Sequence, residues 1–135
     1  MNVSVDTNIL VRAVVLDDPI QSQGALQCLT RARVIAIALP CLCEFVWVLK
    51  RFYGFSSGDV AGAIGALLAS ANIRVNRPAV DAGLLVLEAG GDFADGVIAF
   101  EGRWLGGNTF VSFDREAVAI LSAQRFEARL LTLGP

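Results

Sequence analysis

The stretch V-S-V-D-T-N-I-L, Val3–Leu10, decides how the rest of the chain is read. Val3–Val5 is a short apolar run rich in β-branched residues and reads as a buried strand. Asp6 follows it directly, and Asn8–Leu16 continues as a helix. A strand, an acid at its end and then a helix form the opening unit of an α/β fold. Outward from there the same alternation repeats. Gln21–Arg31 reads as a second helix and Val34–Leu39 as a β-branched strand. Pro40 sits where a helix can begin, because its missing N–H is not needed in the first turn. That helix runs to about Tyr53, and Gly54 ends it. Ser56 and Asp59 form a capping-box-like start for a helix to about Ser70. Asn72–Val75 is a strand, and Pro78–Ala89 a helix stopped by Gly90 and Gly91. Phe93–Trp104 is a helix, Thr109–Ser112 a strand, Arg115–Ala123 a helix and Ala128–Leu131 a last strand. Alternating strands and helices predict a parallel sheet with helices on both faces. Ligands of such sheets bind at the carboxyl ends of the strands. With no repeat, low-complexity tract or linker, residues 1–135 are expected to form one domain.

Composition narrows the chemistry. Charged residues make up 18% of the 135 and hydrophobic residues 55%, against an ordinary quarter charged. That composition excludes disorder and implies more apolar surface than one small core needs, so a buried partner interface is expected. No apolar run approaches the roughly 20 residues of a membrane span. The longest, Val34–Leu49, is broken by Pro40 and Glu44. The first residues, MNVSVDTNIL, lack a basic region and a small-residue cleavage site, so no secretory signal and a cytoplasmic location are expected. Cys28, Cys41 and Cys43 read as reduced thiols. The absence of histidine makes a zinc site improbable on donor grounds and removes the Ser-His-Asp scheme. Catalysis would then rest on carboxylates, a metal, Lys or Cys. A net charge of −2 means the whole protein is no electrostatic trap for nucleic acid. Local cations or a metal would have to attract it.

The acids fall at informative places. Asp6 follows the first strand, and Asp114 follows a later one in F-V-S-F-D-R-E. Asp92 and Asp95 open a helix in G-G-D-F-A-D-G-V-I-A and, three apart, share a face. Each aspartate also suits a helix start, Asp6, Asp92 and Asp114 as N-caps and Asp95 in a first turn. Glu44, in P-C-L-C-E-F-V-W-V-L, has apolar neighbours on every side. Read as a buried carboxylate it needs a partner, and Lys50 and Arg51 are too far along the helix for an i,i+4 pair. Capping and metal binding are compatible. Carboxylates converging at the sheet's carboxyl edge repel one another unless a cation neutralises them. Hard oxygen donors select Mg²⁺ or Mn²⁺, and such an ion can activate water and clamp a phosphoryl oxygen. Spacing and composition allow this site without naming a substrate.

The order of the motifs resembles the PIN domain, and within it the VapC-type toxins of toxin–antitoxin pairs. Val3–Leu10 looks like the family's opening D-T-N segment, and Pro40–Leu49 like its Glu-bearing helix. Asp92–Ala99 is similar to its D-F-x-D-A-L-I-A segment, and Thr109–Asp114 to its closing T-F-x-T-x-D strand. The likeness covers Val3 to about Leu131. It implies a three-layer α/β/α fold around a mostly parallel sheet of four to five strands. It implies a metal-binding and catalytic quartet of Asp6, Glu44, Asp95 and Asp114, with Asn8, Asp92 and Ser112 in support. The implied activity is Mg²⁺- or Mn²⁺-dependent endoribonuclease, a metal-activated water leaving 5′-phosphate and 3′-hydroxyl ends. The implied partners are RNA, a cognate antitoxin and a second copy of the chain, with no membrane. Two positions depart from the pattern. Gly96 replaces the usual Ala, at up to about 1 kcal/mol of helix propensity, and Ser112 stands for Thr and keeps the hydroxyl.

Trp47, Phe52, Tyr53 and Phe55 are either part of an antitoxin groove or plain core. Arg12, Lys50, Arg51, Arg103 and Arg115 are either phosphate contacts or solvated surface charges. Rival readings remain. A HAD-like phosphohydrolase uses an aspartate after its first strand as nucleophile, but it needs a second acid where this chain has Asn8. A receiver-like domain needs a late lysine, and Lys50 is the only lysine. A PIN scaffold that binds RNA or a partner without cutting is the non-enzymatic alternative.

Overall fold

The structure, a computed structural model, describes residues Met1–Leu133. Strands and helices alternate as an α/β fold: β1 (Asn2–Ser4), α1 (Thr7–Val14), α2 (Pro19–Arg31), β2 (Val34–Ala36), α3 (Leu39–Arg51), α4 (Ser57–Leu68), β3 (Ile73–Arg74), α5 (Arg77–Glu88), α6 (Phe93–Trp104), β4 (Thr109–Ser112), α7 (Arg115–Ala123) and β5 (Glu127–Leu130). Contacts group the chain into two compact units, one of Met1–Asn76 and one that starts at Arg77.

In the first unit, β1 runs parallel to β2 with Val3 opposite Ile35, and β2 runs parallel to β3 with Ile35 opposite Ile73. The ladder order is β1-β2-β3. Helix α1 packs against α2 and α3, and α3 against α4. Helix α3 buries Leu42, Phe45, Val46 and Leu49, a stripe at the i, i+3, i+4, i+7 spacing of one helical face. Fully burying a side chain of this size contributes roughly 1.5–3 kcal/mol, so this stripe fixes which way α3 faces. Helix α4 starts at the expected capping box, with the Asp59 N–H donating to Ser56 Oγ at 3.0 Å and the Ser56 N–H to Asp59 Oδ2 at 3.3 Å.

In the second unit, β4 and β5 pair in parallel from Thr109 opposite Glu127 to Ser112 opposite Leu130. Helix α7 packs on both strands. Val86, Ala99 and Leu121 form a buried cluster that Phe110, Ile120, Phe126 and Ala128 pack against. Helices α5 and α6 pack on each other at Gly83 and Gly96. A Cβ on Gly96 would strike the Ala82 carbonyl oxygen and lie 2.8 Å from Gly83 Cα. The absent side chain therefore lets two backbones touch, a requirement that helix propensity does not register. Helix α7 ends in a Schellman turn: the Phe126 N–H donates to the Leu121 carbonyl at 3.0 Å and the Arg125 N–H to the Ser122 carbonyl at 3.2 Å. Arg125 holds φ at 68°, where glycine is usual.

The expected single sheet of four to five strands is instead two parallel ladders, of three strands and of two. The strands are only two to four residues long, so each ladder has few backbone hydrogen bonds. Between β3 and β4 the chain forms the α5–α6 pair rather than a single crossover helix. Among the described residues, no helix is long and apolar enough to cross a membrane.

Candidate metal centre

In the first unit, Asp6 lies between β1 and α1 and caps α1, its Oδ1 accepting from the Ile9 N–H at 3.3 Å. The acid, exposed as a residue, is held at the carboxyl end of a parallel strand by a bond to one of its oxygens. Glu44 is exposed, which corrects the expectation of a buried carboxylate. The apolar stripe of α3 lies on the opposite face, and Glu44 shares the solvent face with Trp47. It therefore needs no ion-pair partner. Cys41 sits one turn before Glu44 on the same helix, half-buried. Thr7 Oγ1 donates toward its Sγ at 3.9 Å. Burial pushes the Cys41 thiol up, and the nearby Asp6 and Glu44 carboxylates push it further, against the Thr7 hydrogen bond. Both acids thus act on one thiol. Three-residue spacing to Glu44 was a visible signal for Cys41; nothing in the sequence singles out Thr7.

In the second unit, Asp92 caps α6, its Oδ1 accepting from the Ala94 N–H at 3.1 Å. The Asp95 N–H donates to the Asp92 carbonyl at 3.0 Å, which fixes Asp95 in the first turn. Asp114 follows β4 and caps α7, its Oδ1 accepting from the N–H groups of Glu116 and Ala117 at 2.9 and 3.2 Å. Ser112 Oγ accepts from the Asp114 N–H at 3.0 Å, so the hydroxyl steadies the backbone that carries the acid. Asp95 is half-buried. Burial raises its carboxyl above the usual range, and the charges of Asp92 and Asp114 raise it further. The charges of Asp92 and Asp114 thus converge on Asp95.

A divalent cation suits this chemistry, because the donors are hard oxygens and their mutual repulsion is what a cation relieves. Among the described residues, no three Asp, Glu or Cys side chains gather into a group that could hold a metal ion.

The cations are mostly engaged elsewhere. Arg12 Nη1 pairs with Asp17 Oδ1 at 2.6 Å, and its Nε donates to Gln21 Oε1 at 3.0 Å. Lys50 Nζ donates to Ser57 Oγ at 3.1 Å. The Arg103 guanidinium lies 4.4 Å from the centre of the Phe126 ring. Arg51 and Arg115 are exposed. Trp47 and Phe52 are 55% and 68% exposed and meet edge to face at 5.3 Å, so they are surface rather than core. Tyr53 and Phe55 are half-buried. The chain matches no protein-family model and no curated protein sequence.

Proposed function

We propose that this chain is a Mg²⁺- or Mn²⁺-dependent endoribonuclease and acts as the toxin of a toxin–antitoxin pair. The observation that supports it best is the seating of the aspartates. Asp6 and Asp114 stand directly behind parallel strands, each anchored as a helix cap through Oδ1, and Asp95 lies in the charge field of Asp92 and Asp114. The resemblance to PIN-domain, VapC-type toxins is what assigns the ion to Asp6, Glu44, Asp95 and Asp114. When bound, the ion would supply a Lewis acid and a water ready to attack phosphorus. The chain's own part is positional. Backbone N–H groups fix one oxygen of each capping carboxylate, Ser112 fixes the Asp114 backbone, and Asn8 follows Asp6 by two residues in the first turn of α1. RNA as substrate, an antitoxin, a second copy of the chain and a cytoplasmic site of action follow from the resemblance to PIN-domain, VapC-type toxins. The exposed Trp47 and Phe52, and Ile98 and Trp104 at 56% and 83% exposure, support surfaces for protein partners.

The test is cleavage of RNA by purified protein in Mg²⁺, Mn²⁺ or EDTA, beside Asp6→Asn and Asp95→Asn. The expected result is cleavage that requires metal and is lost in both variants. Full activity in either variant, or undiminished cleavage in EDTA, would overturn the assignment.

A further inference from the structure

We propose that the groove beside Asp6 is a subsite for one unstacked nucleobase of the RNA strand. This deepens the nuclease reading and rests on it for the identity of the strand. The groove is about 330 Å³ and lies wholly within the first unit, between α1 and α2. That volume falls at the small end of the roughly 300–1,000 Å³ of small-ligand sites. Its polar lining is Asp6, Asn8, Arg12 and Gln21, and its apolar lining is Ile9, Gly24 and Ala25.

Charge decides which part of a nucleotide this groove takes. Arg12, the one cation on its wall, is already paired with Asp17, which also accepts from the Tyr53 hydroxyl at 3.2 Å. A phosphate would have to displace that pair and would face the Asp6 carboxylate. A neutral ring meets neither obstacle. The Gln21 amide is oriented by Arg12, whose Nε donates to Oε1, so its NH₂ group is directed away from the guanidinium. Two amides, from Asn8 and Gln21, match the donor and acceptor edges of a base, and single-stranded RNA is read through splayed bases that combine stacking with edge hydrogen bonds. A base seated here would hold the strand against the acid that the nuclease reading assigns to the reaction.

Gly24 supplies the test. A Cβ there meets no heavy atom within 4 Å, so the backbone accepts a side chain at this position, Gly24→Leu places one at the groove, and the change favours the helix. The four nucleoside 5′-monophosphates are titrated into the metal-free protein in EDTA, to about 10 mM so that millimolar binding is seen, and followed by backbone amide shifts. The expected result is shifts at Asn8, Gln21 and Ala25 that disappear in Gly24→Leu while its melting temperature is not lowered. In the cleavage assay Gly24→Leu raises KM about tenfold, the scale of losing one bidentate contact to a base edge. Absence of shifts overturns the proposal, as do shifts confined to Gln27, Cys28 and Arg31, which line the groove on the other side of Gly24. An unchanged KM in Gly24→Leu also overturns it. Nucleotide binding without metal-dependent cleavage would support the subsite and overturn the nuclease reading, so the two fail separately.

Discussion

An aspartate that caps a helix and an aspartate that holds a cation occupy the same place in the chain, and substitution by asparagine separates the two roles. Asparagine caps as well as aspartate does, so Asp6→Asn keeps the bond to the Ile9 N–H and loses only the charge. Its melting temperature is expected to stay at the wild-type value while cleavage falls by two orders of magnitude or more, the scale of losing a positioned catalytic group. Asp6→Ala also loses the cap and costs about 1 kcal/mol of stability. Asp95 makes the complementary case. Its carboxyl is raised by burial and by Asp92 and Asp114, so the native state binds that proton more tightly than the unfolded chain. Ionisation therefore destabilises the metal-free protein as pH rises through the window between the usual carboxylate value and the raised one. In EDTA, wild-type protein is expected to gain stability from Asp95 as pH falls through that window. Asp95→Asn is expected to melt higher at neutral pH and to lack this contribution. Thermal melts in EDTA across pH check both, and a lower melting temperature for Asp95→Asn at neutral pH would contradict the repulsion.

At the scale of elements, glycine substitution separates propensity from packing. Gly62 in α4 has open space where a Cβ would go, so Gly62→Ala is expected to stabilise by about 0.5–1 kcal/mol. Gly96→Ala carries the same propensity gain of about 1 kcal/mol, yet its Cβ would press on the Ala82 carbonyl, a backbone atom that cannot rotate away. Overpacking of this kind costs about 1–3 kcal/mol. With the contact at backbone, the net effect is expected to be destabilising. Chemical denaturation of the two variants reads the opposite signs directly. The end of α7 offers a stabilising change. Arg125 at φ 68° carries a left-handed strain of roughly 1–2 kcal/mol, partly offset by the greater unfolded-state freedom of glycine. Arg125→Gly is expected to gain up to about 1 kcal/mol, visible as a higher denaturation midpoint with an unchanged slope.

For the whole molecule, association is the property to measure. Ile98, Trp104 and Leu105 on or beside α6, with Leu85 on α5, are each more than half exposed. Such exposed apolar residues fit a covered surface better than an isolated monomer. Light scattering at micromolar concentration is expected to give twice the chain mass of 14.3 kDa, and a monomer would count against the dimer. In a host cell, unregulated expression is expected to arrest growth, and Asp6→Asn to relieve the arrest. Growth unaffected by the wild-type protein would contradict the toxin reading.

The sequence by itself determined the order and type of every element, because those depend on local signals. Gly54, at φ 67°, turns the chain two residues after the cap of α3, the Ser56–Asp59 box opens α4, and Asp6, Asp92 and Asp114 cap helices just behind turns of the chain. Strand ends moved by one to three residues, since a strand's length is set by its partner and not by its own side chains. Tertiary structure alone decided three things. Glu44 faces solvent because the buried stripe of α3 claims the other side of the helix. Gly96 is a contact point because α5 passes over it. Arg12 is tied to Gln21 of α2 and to Asp17 in the turn between α1 and α2 because the two helices fold back side by side. Each of these rests on what lies across from a residue, which neighbours in sequence do not encode.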